Sequence, residues 1–152
     1  MFEYKLTELA KRNTTFNFKP TRNNLEDAGY DLRVCMEEDS ILLYPKETKI
    51  IGTGVSIHIA DNNFVGFLIP RSSTGKRGIM LKNTIGVIDS GYTAEIGMLL
   101  TNTNEEDVIT ISNGDRMAQI VFLPIATPNL TLVSEFSKES IRGLNGFGST
   151  GQ

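Results

Sequence analysis

Turn-forming clusters interrupt this chain about every ten residues, and that spacing leaves room only for short elements. Asp61-Asn62-Asn63, Thr101-Asn102-Thr103-Asn104 and Ser112-Asn113-Gly114-Asp115 are such clusters. Their short polar side chains bond their own backbone, and glycine tolerates the reversed backbone angles of tight turns. Between the clusters lie brief apolar runs. Val55-Ser56-Ile57-His58-Ile59 alternates with period two, as a half-buried strand does. Phe64-Val65-Gly66-Phe67-Leu68-Ile69 runs into Pro70, which ends a ladder because it has no N–H to donate. Residues 95–100, 108–111 and 118–123 are further short apolar runs, and a strand is expected to start at Leu32. Only residues 5–12 and 83–88 suggest helix, and the second stretch is short and β-branched. The pattern predicts one all-β domain, a sandwich or barrel, over residues 1–140. A glycine-rich arm, residues 141–152, follows it.

Composition narrows the function classes. At 152 residues the chain supports one core and is short for two domains. A formal charge of −3 argues against nonspecific binding to nucleic acid, which needs a broad basic surface, but permits a small anionic ligand held by a few cations. No window reaches the ~18 apolar residues of a membrane span. The opening Met1-Phe2-Glu3-Tyr4-Lys5-Leu6 lacks the cationic-then-apolar order of a signal peptide. The single Cys35 has no partner for a disulfide, so a reducing compartment is expected: the cytoplasm, or the host cytoplasm if the source is a virus. Cys35 and His58 are the only residues of their types, so the usual nucleophile sets are missing. His58 is expected to face away from Val55, Ile57 and Ile59, towards solvent or an interface, and Cys35 to be a small core or strand residue.

The chemistry-bearing residues fall in loops. In Ala28-Gly29-Tyr30-Asp31-Leu32, Gly29 permits a tight turn that presents Asp31 beside a strand. Pro70-Arg71-Ser72-Ser73-Thr74-Gly75-Lys76-Arg77-Gly78 packs three hydroxyls, three cations and two glycines into nine residues. That composition suits a phosphate cradle of the nest type and equally a solvated turn; it lacks the Walker pattern. In Asn83-Thr84-Ile85-Gly86-Val87-Ile88-Asp89-Ser90-Gly91-Tyr92, a carboxylate follows an apolar wall, where it can act as a general base or cap a turn. Gly114-Asp115-Arg116-Met117-Ala118-Gln119 feeds a strand; Arg116 there is read as a structural ion-pair partner and Gln119 as a neutral donor and acceptor. The arm carries Arg142, Phe147, Gly148, Ser149 and Thr150: one cation for phosphate, one ring for stacking on a base, and two hydroxyls. Read alone it is also what a frayed terminus looks like.

These five segments, in this order and spacing, resemble the five motifs of the homotrimeric dUTPase family over residues 28–151. The resemblance implies a jelly-roll fold and a homotrimer with active sites at subunit interfaces. It implies hydrolysis of dUTP to dUMP and pyrophosphate with Mg2+ on the triphosphate. By similarity, Asp89 would activate the attacking water and Asp31 would hold the metal through waters. Arg71, Ser72, Ser73 and Gln119 would grip phosphates. Asn83 with the backbone of Gly86, Val87 and Ile88 would read the uracil edge, and Tyr92 would pack under the deoxyribose. Phe147 would cover the uracil, and Arg142, Gly148, Ser149 and Thr150 would close on the β- and γ-phosphates.

The chain departs from the common family pattern at Ser73, Gly91, Thr93-Ala94 and Leu144-Asn145. The related dCTP deaminases share an Arg-Ser-Ser loop and an Ile-Asp-x-Gly turn, but they use a glutamate about ten residues beyond the aspartate. Here that position is Leu99, which transfers no proton. A non-catalytic nucleotide sensor on the same scaffold would need the loops and arm but no ionised Asp89.

Overall fold

The strand Thr48–His58 organises the molecule: Ile51, Val55 and Ile57 enter the core, and every residue from Thr53 to Ile57 is buried. In a computed structural model that describes residues 1–138, 140, 141 and 143, this strand is β4. It follows β1 (Glu3–Leu6), α1 (Glu8–Arg12), β2 (Tyr30–Arg33) and β3 (Ser40–Leu43). After it come β5 (Phe64–Pro70), α2 (Ser72–Lys76), β6 (Ile79–Leu81) and β7 (Gly86–Ile88). The last described strands are β8 (Glu95–Asn102), β9 (Ile109–Ser112) and β10 (Arg116–Pro124). One sheet has the order β1-β4-β8-β6, a second β2-β10-β5-β7, and β3 pairs with β9 as a ribbon. All named pairings are antiparallel. The inner faces share one core, in which Leu32, Val55, Leu68, Met98, Ile111 and Ile120 are almost completely buried. This is the expected all-β jelly roll; among the described residues no helix is long and apolar enough to cross a membrane.

Local sequence explains most of the element ends. The helix expected over residues 5–12 begins only at Glu8, because residues 3–6 pair with β4 and Thr7 caps α1, its hydroxyl accepting from Ala10 N at 3.2 Å. The helix suggested over residues 83–88 does not form. Those residues make a turn at Asn83–Ile85 and then β7, whose β-branched side chains suit a pleated edge. The unexpected element is α2, inside the Arg-Ser-Ser loop, where one turn is held by the buried Thr74 hydroxyl donating to Met117 O at 2.6 Å. Strands β1, β3, β6 and β7 are too short to stand out from their flanks.

Where β4 meets the start of β8, four steps on β4, from Gly52 to Ser56, match two on β8. Gly54 adopts φ +70°, and its amide donates to Glu95 Oε1 at 2.7 Å. His58 is solvent-facing as expected, with Nδ1 3.6 Å from Glu3 Oε2. Cys35 joins Ala10 and Phe18 in a small second cluster. Burial, with smaller contributions from Glu95 and Glu37, pushes its thiol up to about 11. A thiol held protonated at neutral pH reacts slowly. Native protein at pH 8 is therefore expected to resist a disulfide reagent that labels Cys35 quickly in denaturant; equal rates would contradict its burial.

Asn102 is fully buried and joins three backbone groups. Its Nδ2 donates to Leu43 O (2.9 Å) and Asp107 O (2.8 Å), and its Oδ1 accepts from Asn104 N (2.9 Å). Asn102→Ala would strand all of these in the interior. A destabilisation of about 3 kcal/mol is expected in denaturant titration, where a loss below about 1 kcal/mol would show that the network contributes little.

Candidate active site

The cleft beside Asp31 is built by a register shift. Between Arg116 and Ala118 the pairing of β10 with β2 slips at Met117, so that Gln119 stands opposite Asp31 on one side and Ile69 on the other. Two residues beyond Ile69, Arg71 follows the end of β5 and occupies the N-cap position of α2. These elements enclose a cleft of about 310 Å³ lined by Gly29, Asp31, Arg71, Ser72 and Gln119, together with Thr21, Asn23 and Asp27. The larger depression along β1, about 620 Å³, gathers none of the expected site residues.

Asp31 is the electrostatic centre. Its side chain is 9% exposed; Oδ1 lies 2.8 Å from Arg71 Nε and Oδ2 lies 3.1 Å from Arg116 Nη1. Two guanidiniums thus compensate the charge of a carboxylate that would otherwise be costly to bury. The structural pairing expected of Arg116 is present. Oδ2 accepts a hydrogen bond from Arg116 and Oδ1 meets Arg71 Nε as an ion pair, so each oxygen retains lone-pair capacity for a hydrated cation met through water. Among the described residues, no three His, Cys, Asp or Glu side chains converge as a metal site.

Gly29 is required by close approach. A Cβ there would lie 2.2 Å from Gln119 Oε1 and 2.9 Å from its Cδ. Because the obstacle is the end of a flexible side chain, Gly29→Ala is expected to turn the Gln119 amide out of the cleft with little loss of stability. The expected readout is a KM raised about tenfold at nearly unchanged Tm; an unchanged KM would remove Gln119 from the site.

The Arg-Ser-Ser loop contributes less than its composition suggested. Ser72 and Ser73 are exposed, but Thr74 is buried in its bond to Met117. Arg77 turns to Asp115, 3.2 Å away, and to Thr110 O. A nest using all three hydroxyls and all three cations is therefore not formed. Arg71, Ser72 and Ser73 remain as groups available to an anion.

The third loop lies elsewhere. Asn83, Val87 and Asp89 are exposed, and Gly86 and Ile88 are buried. The Tyr92 hydroxyl donates to Glu95 O at 2.8 Å, and Tyr92 N donates to Asp89 O at 3.0 Å, which fixes the turn carrying the carboxylate. Ile88 stands opposite Gly66, five positions before Arg71 on β5, or about 16 Å at 3.3 Å per residue. The chain thus carries Asp31, Arg71, Ser72 and Gln119 at one end of β5 and the Asp89 turn at the other. Arg142, Phe147, Gly148, Ser149 and Thr150 lie outside the described residues. The lining residues Thr21, Asn23 and Asp27 were not legible in the sequence, and only an Asp27 one residue before Ala28-Gly29 hinted at them.

A protein-family model described as dUTPase matches residues 18–151, which contain both halves of this arrangement. The chain belongs to the dUTPase family. It is 42% identical to the deoxyuridine 5'-triphosphate nucleotidohydrolase of Psychrobacter sp. (strain PRwf-1), over 93% of this chain and 92% of that protein. The Legionella pneumophila (strain Paris) protein of the same name is 43% identical over 82% of this chain and 81% of its own. Among solved structures, the dUTPase of Staphylococcus bacteriophage 80alpha with dUPNHPP is 31% identical. It aligns with a TM-score of 0.84 over 100% of this chain and 99% of that one. A mutant dUTPase from phage phi11 of S. aureus, described as coordinating a structural Mg(II) ion, aligns with a TM-score of 0.75 at 28% identity, over 91% and 99% of the two chains. At the position ten residues beyond Asp89 the chain carries Leu99, an apolar residue that transfers no proton.

Proposed function

We propose that this dUTPase-family enzyme hydrolyses dUTP to dUMP and pyrophosphate, with Asp89 as the general base. The observation that carries the reading is the division of labour along β5. A cleft lined by Arg71, Ser72 and Gln119 lies at one end and an exposed carboxylate beside a fixed tyrosine ring at the other. Two such halves, too far apart within one chain, complement each other when identical subunits associate. A homotrimer with sites at its interfaces is the assembly proposed.

At each site Asp89 takes a proton from water as its oxygen attacks the α-phosphorus. The bond from that phosphorus to the bridging oxygen breaks, and pyrophosphate leaves. Phosphoryl transfer depends chiefly on positioning and charge compensation. Arg71, Ser72, Ser73 and Gln119 supply these on the phosphate chain. Asn83 and the backbone of Gly86, Val87 and Ile88 read the uracil edge, while the Tyr92 ring lies under the deoxyribose and leaves no room for a 2′-hydroxyl. Residues 141–152 act as an arm that closes the site, with Phe147 on the base and Arg142, Gly148, Ser149 and Thr150 on the outer phosphates. Mg2+ bound on the triphosphate would neutralise phosphate charge, with Asp31 meeting it through coordinated water. In the cytoplasm, or a host's cytoplasm for a viral source, such a reaction limits uracil entry into DNA and supplies dUMP for dTMP synthesis.

The test is pyrophosphate release from each deoxynucleoside triphosphate with Mg2+ and with chelator. Release from dUTP alone, abolished by chelator, is expected. A protein that stays monomeric and leaves dUTP intact with metal supplied would overturn the reading.

A further inference from the structure

Arg116 poses a question that pairing alone does not answer. Asp31 already has Arg71, and a second guanidinium adds positive charge to a confined site. Arg116 also stands directly opposite Arg33 in the β10–β2 register, a like-charged cross-strand pair that disfavours the sheet. The two side chains diverge: Arg33 donates to Gly114 O at 2.7 Å, and Arg116 reaches Asp31. Two guanidiniums thus share one nearly buried carboxylate while Arg33 turns away from it, an arrangement that suits an incoming polyanion.

The contacts are also divided in an ordered way. Arg71 engages Asp31 through Nε, and among the described residues its two terminal nitrogens take no partner. The open end of its fork therefore stays available for phosphate oxygens. Which way that fork points depends on the plane of the Asp31 carboxylate, and the second oxygen of that plane is held by Arg116.

We propose that Arg116 is a positioning residue: it fixes Asp31, and Asp31 in turn aims Arg71 at the phosphate chain. The inference rests on the phosphate role proposed above for Arg71. Arg116 itself does not touch the nucleotide. Its effect on ligand binding passes through Arg71 and disappears when Arg71 is removed.

A double-mutant cycle on the full-length protein tests this, using calorimetry with dUPNHPP and Mg2+, competition with deoxyuridine, and thermal melting. Arg116→Gln is expected to weaken dUPNHPP binding about tenfold and leave deoxyuridine unaffected. Arg116→Lys should restore most of the loss, because a single N–H contact to Oδ2 is all that Arg116 makes. In an Arg71→Ala background, Arg116→Gln should cost nothing further. An equal loss in that background would mean direct contact with ligand and overturn the inference. Parallel losses for dUPNHPP and deoxyuridine with a lowered Tm would reduce Arg116 to a structural residue and overturn it as well. If Arg71→Ala alone left dUPNHPP binding intact, the phosphate role of Arg71 would fall, and the inference with it.

Discussion

Asp89→Asn is expected to lower turnover of dUTP about 10³-fold while the affinity for dUPNHPP stays close to that of the unaltered enzyme. Asn keeps the size of the side chain, and the turn that carries it is held by backbone, Tyr92 N on Asp89 O at 3.0 Å. The substitution therefore removes the proton acceptor and little else. Asp89 is solvent-exposed in one subunit, so its loss leaves no buried charge and should not lower Tm. Single-turnover pyrophosphate release and calorimetry together separate the outcomes. Near-normal hydrolysis would end the base assignment. Lost binding with lost turnover would instead make Asp89 a ligand-holding residue. A sensor that never hydrolyses dUTP would show no turnover even before the substitution.

Ending the chain after Ser140 is expected to cost about 10²-fold or more in kcat/KM, with the fold and the proposed trimer retained. The arm's proposed bonds are to charged phosphate oxygens, and such bonds contribute roughly 1.5–3 kcal/mol each. Losing Arg142, Ser149 and Thr150 together, with the Phe147 ring, also leaves the site open to water. Stability should hardly change, because the described apolar clusters are built from residues no later than Phe122. Steady-state kinetics, size-exclusion chromatography and melting of the shortened protein read the three properties separately. Full activity would refute the lid; a shortened protein that unfolds or dissociates would instead assign residues 141–152 to the architecture.

Much of the fold is legible in the sequence. The run from residue 64 to Pro70 and the alternation of residues 55–59 became the central strands, because alternating hydrophobicity and the missing proline N–H are local properties. The turn at Ser112–Asp115 was equally local. The helix α2 was not legible, since its one turn depends on Thr74 reaching Met117, forty-three positions away. The same distance in sequence hid the fate of Arg77, whose charge looked available for phosphate until its contacts with Asp115 and Thr110 were seen.

The amino-acid order alone determined the strand-and-turn rhythm, the reactive residue types and their family motif order, because each follows from neighbouring side chains and backbone preferences. Tertiary structure decided which of those residues meet. The slip at Met117 sets Gln119 against Asp31, ion pairing turns Arg71 and Arg116 onto the same carboxylate, and the β5–β7 register keeps Asp89 away from both within a subunit. Register and charge pairing depend on segments up to 85 positions apart. Only the folded chain, with its core closed and its strands aligned, can set those distances.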